Sequence, residues 1–301
     1  MKKVLVIAGP TASGKTSFSI QIAEKYNLEI ISGDSIQVYK GLDIGSGKVT
    51  EKEKHGIKHY LIDILSPKES YSVSDFQKMA RDLTDHSEKP MIIAGGTGLY
   101  LKACLYDYTF DEESEDLPSV DPSFEKMDEE SLYQLLVKVD PKQAEKIHPN
   151  NRRRLLRSLT IWKRTGKPQS EIVGEQSHKP VYDAFIAGCT MDRKKLYQRI
   201  NNRVEQMFQD GLEEEVRHLL EQGVSFSDTC MQGIGYKEWN SYFEGNSSVE
   251  EVKQEIQKHS RQFAKRQYTW LNHQMDVHWF DSTNEKDIVR IEKEIDTWIE
   301  R

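Results

Sequence analysis

The segment GPTASGKT, Gly9 to Thr16, follows directly on the apolar run KVLVIA and leads into SFSIQIAEKYN, with apolar residues at Phe18, Ile22 and Ala23. A continuous β-rich run closed by Gly-Pro reads as a buried parallel strand, and the spacing that follows reads as a helix. Strand, glycine turn and helix form the setting in which Gly-x4-Gly-Lys-Thr is a phosphate-binding P-loop. Gly9 and Gly14 let the backbone of Gly9, Pro10, Thr11, Ala12, Ser13 and Gly14 curl so that successive N–H groups face inward. The helix starting near Lys15 adds the positive end of its dipole. Lys15 supplies a point charge, and the Thr16 hydroxyl is placed for Mg²⁺. The loop specifies a di- or triphosphate with magnesium; it does not specify a nucleotide.

The same alternation continues. LEIISGDS reads as a second strand ending at Asp34, HYLIDIL as a third, VSDFQKMARDLTDHSEK as a helix, and PMIIAGGTGLYLKACL as another strand, glycine turn and helix. Alternating strands and helices predict an α/β fold, a P-loop NTPase-like parallel sheet flanked by helices. Ligands of such sheets bind beyond the carboxyl ends of the strands, where Gly9, Asp34 and Gly95 fall. The strand signal stops near residue 110 and returns at YDAFIAGCTM, with amphipathic helices such as SLYQLLVKVD and NRRRLLRSLTIWKR between. The expected organisation is a core of residues 1–111 plus 182–301 carrying a helical insertion at 112–181. The C-terminal part reads as mostly helical, with DVHWF as an edge strand.

Charge is unevenly spread. The chain of 301 residues carries a formal net charge of −7, and acids dominate from Asp107 to Glu130. Between Arg152 and Lys167, RRRLLRSLTIWKRTGK holds seven Lys or Arg and no acid, so a locally basic face suits a long polyanion despite the global sign. The three cysteines are widely spaced without a CxxC pair, which argues for reduced thiols in a cytosol and against a zinc site. No apolar run approaches the ~18 residues needed to span a bilayer, so no membrane is expected. The six-residue apolar stretch after MKK runs into Gly-Pro, which speaks against an export signal and for a cytoplasmic protein.

Asp34 ends the second strand and projects towards the crevice of the phosphate loop, where a carboxylate can serve as base. Ser35 and Gln37 beside it add donors and acceptors suited to a heterocycle edge. A nucleotide or small-molecule kinase shares these features, but an Arg-rich lid over ATP is also expected of it, and here acids and a basic helix follow GGTGLY instead.

Taken in order, GPTASGKT, DSIQVYKGLDIGSGK, HYLIDIL, IIAGGTGLYLKA, RRLLR, MQGIGYKE and RQFAKRQYTW resemble the bacterial tRNA dimethylallyltransferase family through nearly the whole chain. The resemblance implies transfer of a dimethylallyl group from its diphosphate to the exocyclic amine of the adenine just 3′ of the anticodon. The P-loop would then hold the diphosphate, which leaves as a product. Asp34 matches the family's general base, Thr97 a threonine near the reacting centre, and Arg203 an arginine on the diphosphate. Ser35 and Gln37, with Ile36 between them, match positions at the target nucleotide. The stretches Arg153, Arg154, Leu155, Leu156, Arg157 and Gln232, Gly235, Tyr236, Lys237 match tRNA-contacting segments. The implied partners are a tRNA anticodon stem-loop, dimethylallyl diphosphate and Mg²⁺, and a monomer is expected. Ser46-Gly47 stands where the family more often has Thr-Ala, and Asn151 and Thr160 replace an Asp and a Glu common around the basic helix. Two other readings stay open: a kinase using the loop for ATP, and a tRNA-binding or regulatory NTPase without transferase chemistry. The stripe Lys258, Arg261, Lys265 either forms a second phosphate track or pairs with Glu250, Glu251 and Glu255.

Overall fold

The computed structural model describes residues 1–110, 120–175 and 178–301. The chain divides into two compact units, Met1–Tyr106 with Pro180–Arg301, and Asp107–Lys179. Most of the acidic run at 111–119, and with it the expected boundary between 111 and 112, lies outside the described residues.

The first unit is built on a six-stranded sheet in the order β3-β2-β4-β1-β5-β6. The strands are β1 (Lys3–Ala8), β2 (Ile30–Ser32), β3 (His59–Tyr60), β4 (Met91–Gly95), β5 (Asp183–Thr190) and β6 (His278–Asp281), and every pairing is parallel. A parallel sheet needs cover on both faces, and the period-2 side chains of β1 supply both. Val4, Val6 and Ala8 pack with Phe76 and Ala80 of α2 (Val73–His86), Leu101 and Cys104 of α3 (Gly98–Leu105), and residues of the C-terminal helices. Leu5 and Ile7 pack on the other face with Phe18, Ile22 and Ala23 of α1 (Lys15–Tyr26) and with Ile291, Ile295 and Trp298 of the last helix, Glu285–Glu300.

Local signals set the helix ends. Gly14 takes φ 91° before α1, and Asn27 closes it at φ 51° with its N–H returned to the carbonyls of Ala23 and Glu24. Ser72 and Asp75 form a reciprocal capping box at the start of α2. The third strand is shorter than its sequence suggests. Only His59 and Tyr60 pair within the sheet, because Leu61 (φ 60°) and Asp63 (φ 56°) turn the backbone out of it; Leu65 makes an isolated parallel bridge with Tyr39. The apolar residues of HYLIDIL are still buried at Leu61 and Ile62, so the hydrophobic pattern reports burial there rather than strand.

The second unit is helical: α4 (Pro122–Glu125), α5 (Glu129–Val139), α6 (Pro141–Ala144), α7 (Arg152–Thr165) and α8 (Gln169–Glu175). Its own core contains Leu132, Leu136, Leu155 and Leu159. Thr160 is buried there, its Oγ1 accepting the Asp121 N–H at 3.1 Å. After β5 come α9 (Arg193–Gln209), α10 (Leu212–Glu221), α11 (Asn240–Phe243), α12 (Val249–Gln274), β6 and α13 (Glu285–Glu300). No helix among the described residues is long and apolar enough to cross a membrane.

Ile7 has no exposed surface on the central strand. Ile7→Ala is expected to cost about 2–5 kcal/mol of stability, read as a lower urea midpoint with an unchanged slope.

Candidate active site

The loop between β1 and α1 is shaped by glycines that admit no side chain. A Cβ on Gly9 (φ 139°) would lie 2.3 Å from the Cys189 carbonyl oxygen, so β1 and β5 close over the loop's entry. Ala12 takes φ 62°, in the left-handed region that turns the chain back towards α1. Two distant side chains then brace the loop. Gln267 of α12 accepts the Thr11 N–H at 2.9 Å, and Ser282 after β6 donates to the Ser13 carbonyl at 2.6 Å. Lys15 donates from Nζ to the Pro10 carbonyl at 2.7 Å, which keeps its ammonium inside the curl. The Thr16 side chain is exposed, and its hydroxyl has no protein partner among the described residues.

Asp34 lies two residues beyond β2. Its Oδ1 accepts the N–H groups of Ile36 (2.8 Å) and Gln37 (3.2 Å), an Asx turn that fixes the carboxylate. Among the described residues Oδ2 has no protein donor. The neighbouring turn after β4 approaches without side chains: a Cβ on Gly95 would meet the Gly33 carbonyl oxygen at 2.6 Å, and one on Gly96 the Gly9 oxygen at 2.7 Å. Thr97, the N-cap of α3, therefore starts next to both the phosphate loop and the Asp34 turn. Its side chain makes no capping bond and is half-buried.

Arg203 of α9 completes the group. Its Nη2 donates to the carbonyl of Gly47 at 3.1 Å and, more weakly, to that of Ser46 at 3.5 Å. Burial pushes its guanidinium down from the usual range, and the charges of Asp34 and Glu53 oppose that. Burial likewise lowers Lys15 to about 8, with Arg203 pushing the same way and Asp34 opposing. Lys15, Arg203 and Asp34 thus act on one another electrostatically: two partly desolvated cations and one carboxylate share one crevice.

Other expected contact residues are placed differently. Tyr236 is fully buried; its hydroxyl donates to Glu215 at 2.8 Å and accepts the Ser46 N–H at 3.1 Å. Gly235 (φ 102°) lies against Gly45. These two residues pack under the segment after Asp34 and present no side chain for RNA, whereas Gln232 and Lys237 are exposed. In α7, Leu155 is likewise wholly in the core of the helical unit, and Leu156 is partly buried against it. A helix that packs on one side must turn some of any RRLLR inward. Arg153, Arg154 and Arg157 are exposed with no carboxylate partner among the described residues, while Arg152 is tied to the carbonyls of Met127 and Glu125 at 2.6 Å. In α12, Lys258 pairs with Glu255 and Arg261 donates to Asn201, so two members of the basic stripe are engaged within the protein.

Gln267, Ser282 and Glu215 were not singled out from sequence. Gln267 lies within RQFAKRQYTW, the only one of the three inside a recognised motif. Glu215 sits in the run Glu213-Glu214-Glu215, where nothing local marks the third acid.

A P-loop joined to an acid at the end of the adjoining strand-turn, within a parallel α/β core bearing a helical unit, defines a phosphate-ester-using enzyme of the P-loop class. The family model for IPP transferases matches residues 37–274, and the chain belongs to that family. It is 47% identical to the tRNA dimethylallyltransferase of Anoxybacillus flavithermus over 99% of this chain and 96% of the relative. It is 45% identical to that of Bacillus subtilis over 98% and 96%. Among solved structures, the tRNA delta(2)-isopentenylpyrophosphate transferase of Staphylococcus epidermidis matches with a TM-score of 0.72 at 41% identity, over 99% of this chain and 100% of that one. A eukaryotic dimethylallyltransferase described as acting on tRNA matches with a TM-score of 0.84 at 30% identity, over 99% and 79%.

Lys15 holds its proton less tightly when folded, at about 8, than at its ordinary 10.5. Between those values the unfolded chain binds more protons, so this group's contribution to stability rises with pH. The unfolding free energy of the parent minus that of Lys15→Met should therefore increase from pH 8 to pH 10.5 in denaturant titrations. A flat difference would mean that the ammonium is not desolvated.

Proposed function

We propose that this chain transfers the dimethylallyl group of dimethylallyl diphosphate to the exocyclic amine of the adenine 3′-adjacent to the anticodon in tRNA, releasing diphosphate. The observation that carries the reading is the glycine-tight approach of the Lys15 loop to the turns beside Asp34, with Arg203 and Gln37 meeting on the Gly47 carbonyl, in a chain whose relatives match it almost from end to end.

The amine nitrogen forms a bond to the allylic carbon while the carbon–oxygen bond to diphosphate breaks. The lone pair of an aminopurine is delocalised into the ring, so its attack needs help. Asp34 Oδ2, without a protein donor among the described residues, takes the N–H proton as the new bond forms. Charge grows on the departing oxygen, and the donors there are Lys15, Arg203 and the amides of Gly9 to Thr16. These donors are already turned inward, so they stabilise the transition state without reorganisation. The Thr97 hydroxyl is uncommitted to capping and leaves the turn that abuts both Gly33 and Gly9, and it is assigned a bond to the reacting group. No enzyme nucleophile is required.

The residues fit Mg²⁺. Thr16 offers one hard oxygen donor without a protein partner, and among the described residues no three His, Cys, Asp or Glu side chains gather to hold a metal. A metal here would thus be held by Thr16 and the substrate phosphates, the usual manner for magnesium. When bound it would offset diphosphate charge.

The helical unit is assigned to the tRNA backbone. Arg153, Arg154 and Arg157 present three cations on one exposed stretch of α7, without a carboxylate partner among the described residues. The target base must leave its stack, which costs a few kcal/mol repaid by backbone contacts and bonds in the pocket. The kinase alternative is not favoured, because the full-length relatives are dimethylallyltransferases.

Purified protein, tRNA with adenines 3′ of the anticodon, labelled dimethylallyl diphosphate and Mg²⁺ test the reading; ATP hydrolysis without label transfer would overturn it. Asp34→Ala should lose about 10²–10⁴ in turnover while tRNA affinity is kept. Arg153→Glu and Arg154→Glu should each weaken tRNA binding and flatten the log–log salt slope by about 1, and an unchanged slope would remove α7 from the interface.

A further inference from the structure

Glu215 lies on α10, away from the phosphate loop in sequence, yet it gathers an unusual set of donors. Its Oε2 accepts the N–H groups of Asp43 (2.9 Å) and Ile44 (2.7 Å), and its Oε1 those of Gly45 (3.0 Å) and the Tyr236 hydroxyl (2.8 Å). Tyr236 in turn receives the Ser46 N–H at 3.1 Å. Four consecutive backbone amides, 43 to 46, are therefore held directly or through one phenol by a single carboxylate.

The opposite side of the same segment faces the crevice. The carbonyls of Ser46 and Gly47 receive Arg203 Nη2 at 3.5 and 3.1 Å, and Gln37 Nε2 at 3.5 and 3.3 Å. Gln37 is also anchored through Oε1 by the Ser32 hydroxyl, and its N–H is one of the two that hold Asp34. Gly47 at φ 58° leaves the space that the guanidinium fills, since a Cβ there would lie 1.4 Å from Nη2. An arginine side chain is long and rotamer-rich, so the carbonyls that receive it decide where its charge rests.

We infer that Glu215 is a positioning residue for prenyl transfer: by clamping the amides of residues 43–46 it aims the Ser46 and Gly47 carbonyls at Arg203, and so sets the guanidinium against the diphosphate. The inference rests on the assignment of Arg203 to the diphosphate made above. A carboxylate is needed because it accepts four donors and offers none. Glutamine keeps the shape but turns an amide N–H₂ towards backbone N–H groups, which repels them.

The test uses the full chain and magnesium pyrophosphate, with affinity read by calorimetry for the parent, Glu215→Gln, Tyr236→Phe, Arg203→Ala and the double variant Arg203→Ala/Glu215→Gln. Glu215→Gln is expected to weaken pyrophosphate about tenfold and Tyr236→Phe severalfold, as loss of charged and neutral hydrogen bonds does. The double variant should bind no more than about twofold more weakly than Arg203→Ala alone, since coupled groups are non-additive. In turnover, KM for dimethylallyl diphosphate should rise while KM for tRNA stays put. A folded Glu215→Gln with parental affinity, or one that weakens binding by the same factor with and without Arg203, overturns the inference. If Glu215→Gln does not fold, Tyr236→Phe, which loses one hydroxyl, is compared with and without Arg203 in the same way. Arg203→Ala binding as tightly as the parent would overturn the diphosphate assignment itself, and the Glu215 route with it. Weakening by Arg203→Ala but not by Glu215→Gln overturns the positioning role alone.

Discussion

Three turns leave the carboxyl ends of β1, β2 and β4 closer together than side chains allow, and the rest of the site depends on that crowding. Gly9 abuts the Cys189 carbonyl, Gly95 the Gly33 carbonyl, and Gly96 the Gly9 carbonyl. A parallel sheet makes the approach unavoidable, because it sends every strand's outgoing turn to the same edge. Glycine makes it tolerable. The result is that an ammonium, a carboxylate and an uncommitted threonine hydroxyl emerge from neighbouring turns instead of from separate surfaces. Only Arg203 comes from elsewhere, and it is brought in along α9 to the carbonyls of the segment after Asp34.

The electrostatic consequence is two desolvated cations held near a carboxylate in an acidic protein. The chain carries a net charge of −7, while Lys15 and Arg203 are held where burial disfavours their charged forms. A strongly anionic ligand relieves both at once, which is the direction of binding that a diphosphate donor needs. The same crowding makes the loop rigid: its amides are fixed by backbone turns and braced by Gln267 and Ser282, which is the preorganisation the proposed departure of diphosphate calls for. The Asp34 carboxylate sits on a turn that holds one of its oxygens and, among the described residues, leaves the other without a protein donor.

Motifs that read as contact surfaces in the sequence divide, in three dimensions, between contact and support. In QGIGYK the glycine and tyrosine are buried under the Asp34 segment, and only the ends are exposed. In RRLLR the arginines face out and Leu155 faces in. Both outcomes follow from one rule: a segment on a packed surface turns one side inward, and a string of letters does not say which. HYLIDIL forms a strand only at His59 and Tyr60 for a related reason, since apolar runs report burial and the left-handed turns at Leu61 and Asp63 leave no apolar signature.

Local chemistry in the sequence was sufficient for the phosphate loop, the parallel alternation, the acid after β2 and the resemblance to a family, because each depends on residues within one strand–turn–helix unit. Tertiary structure alone decided which donors brace that unit. Thr11 finds Gln267 across 256 positions and Gly45 finds Glu215 across 170, and no periodicity or spacing links residues so far apart. The third glutamate of a surface-looking helix becomes the anchor of four backbone amides only once the chain has folded α10 against the segment they belong to.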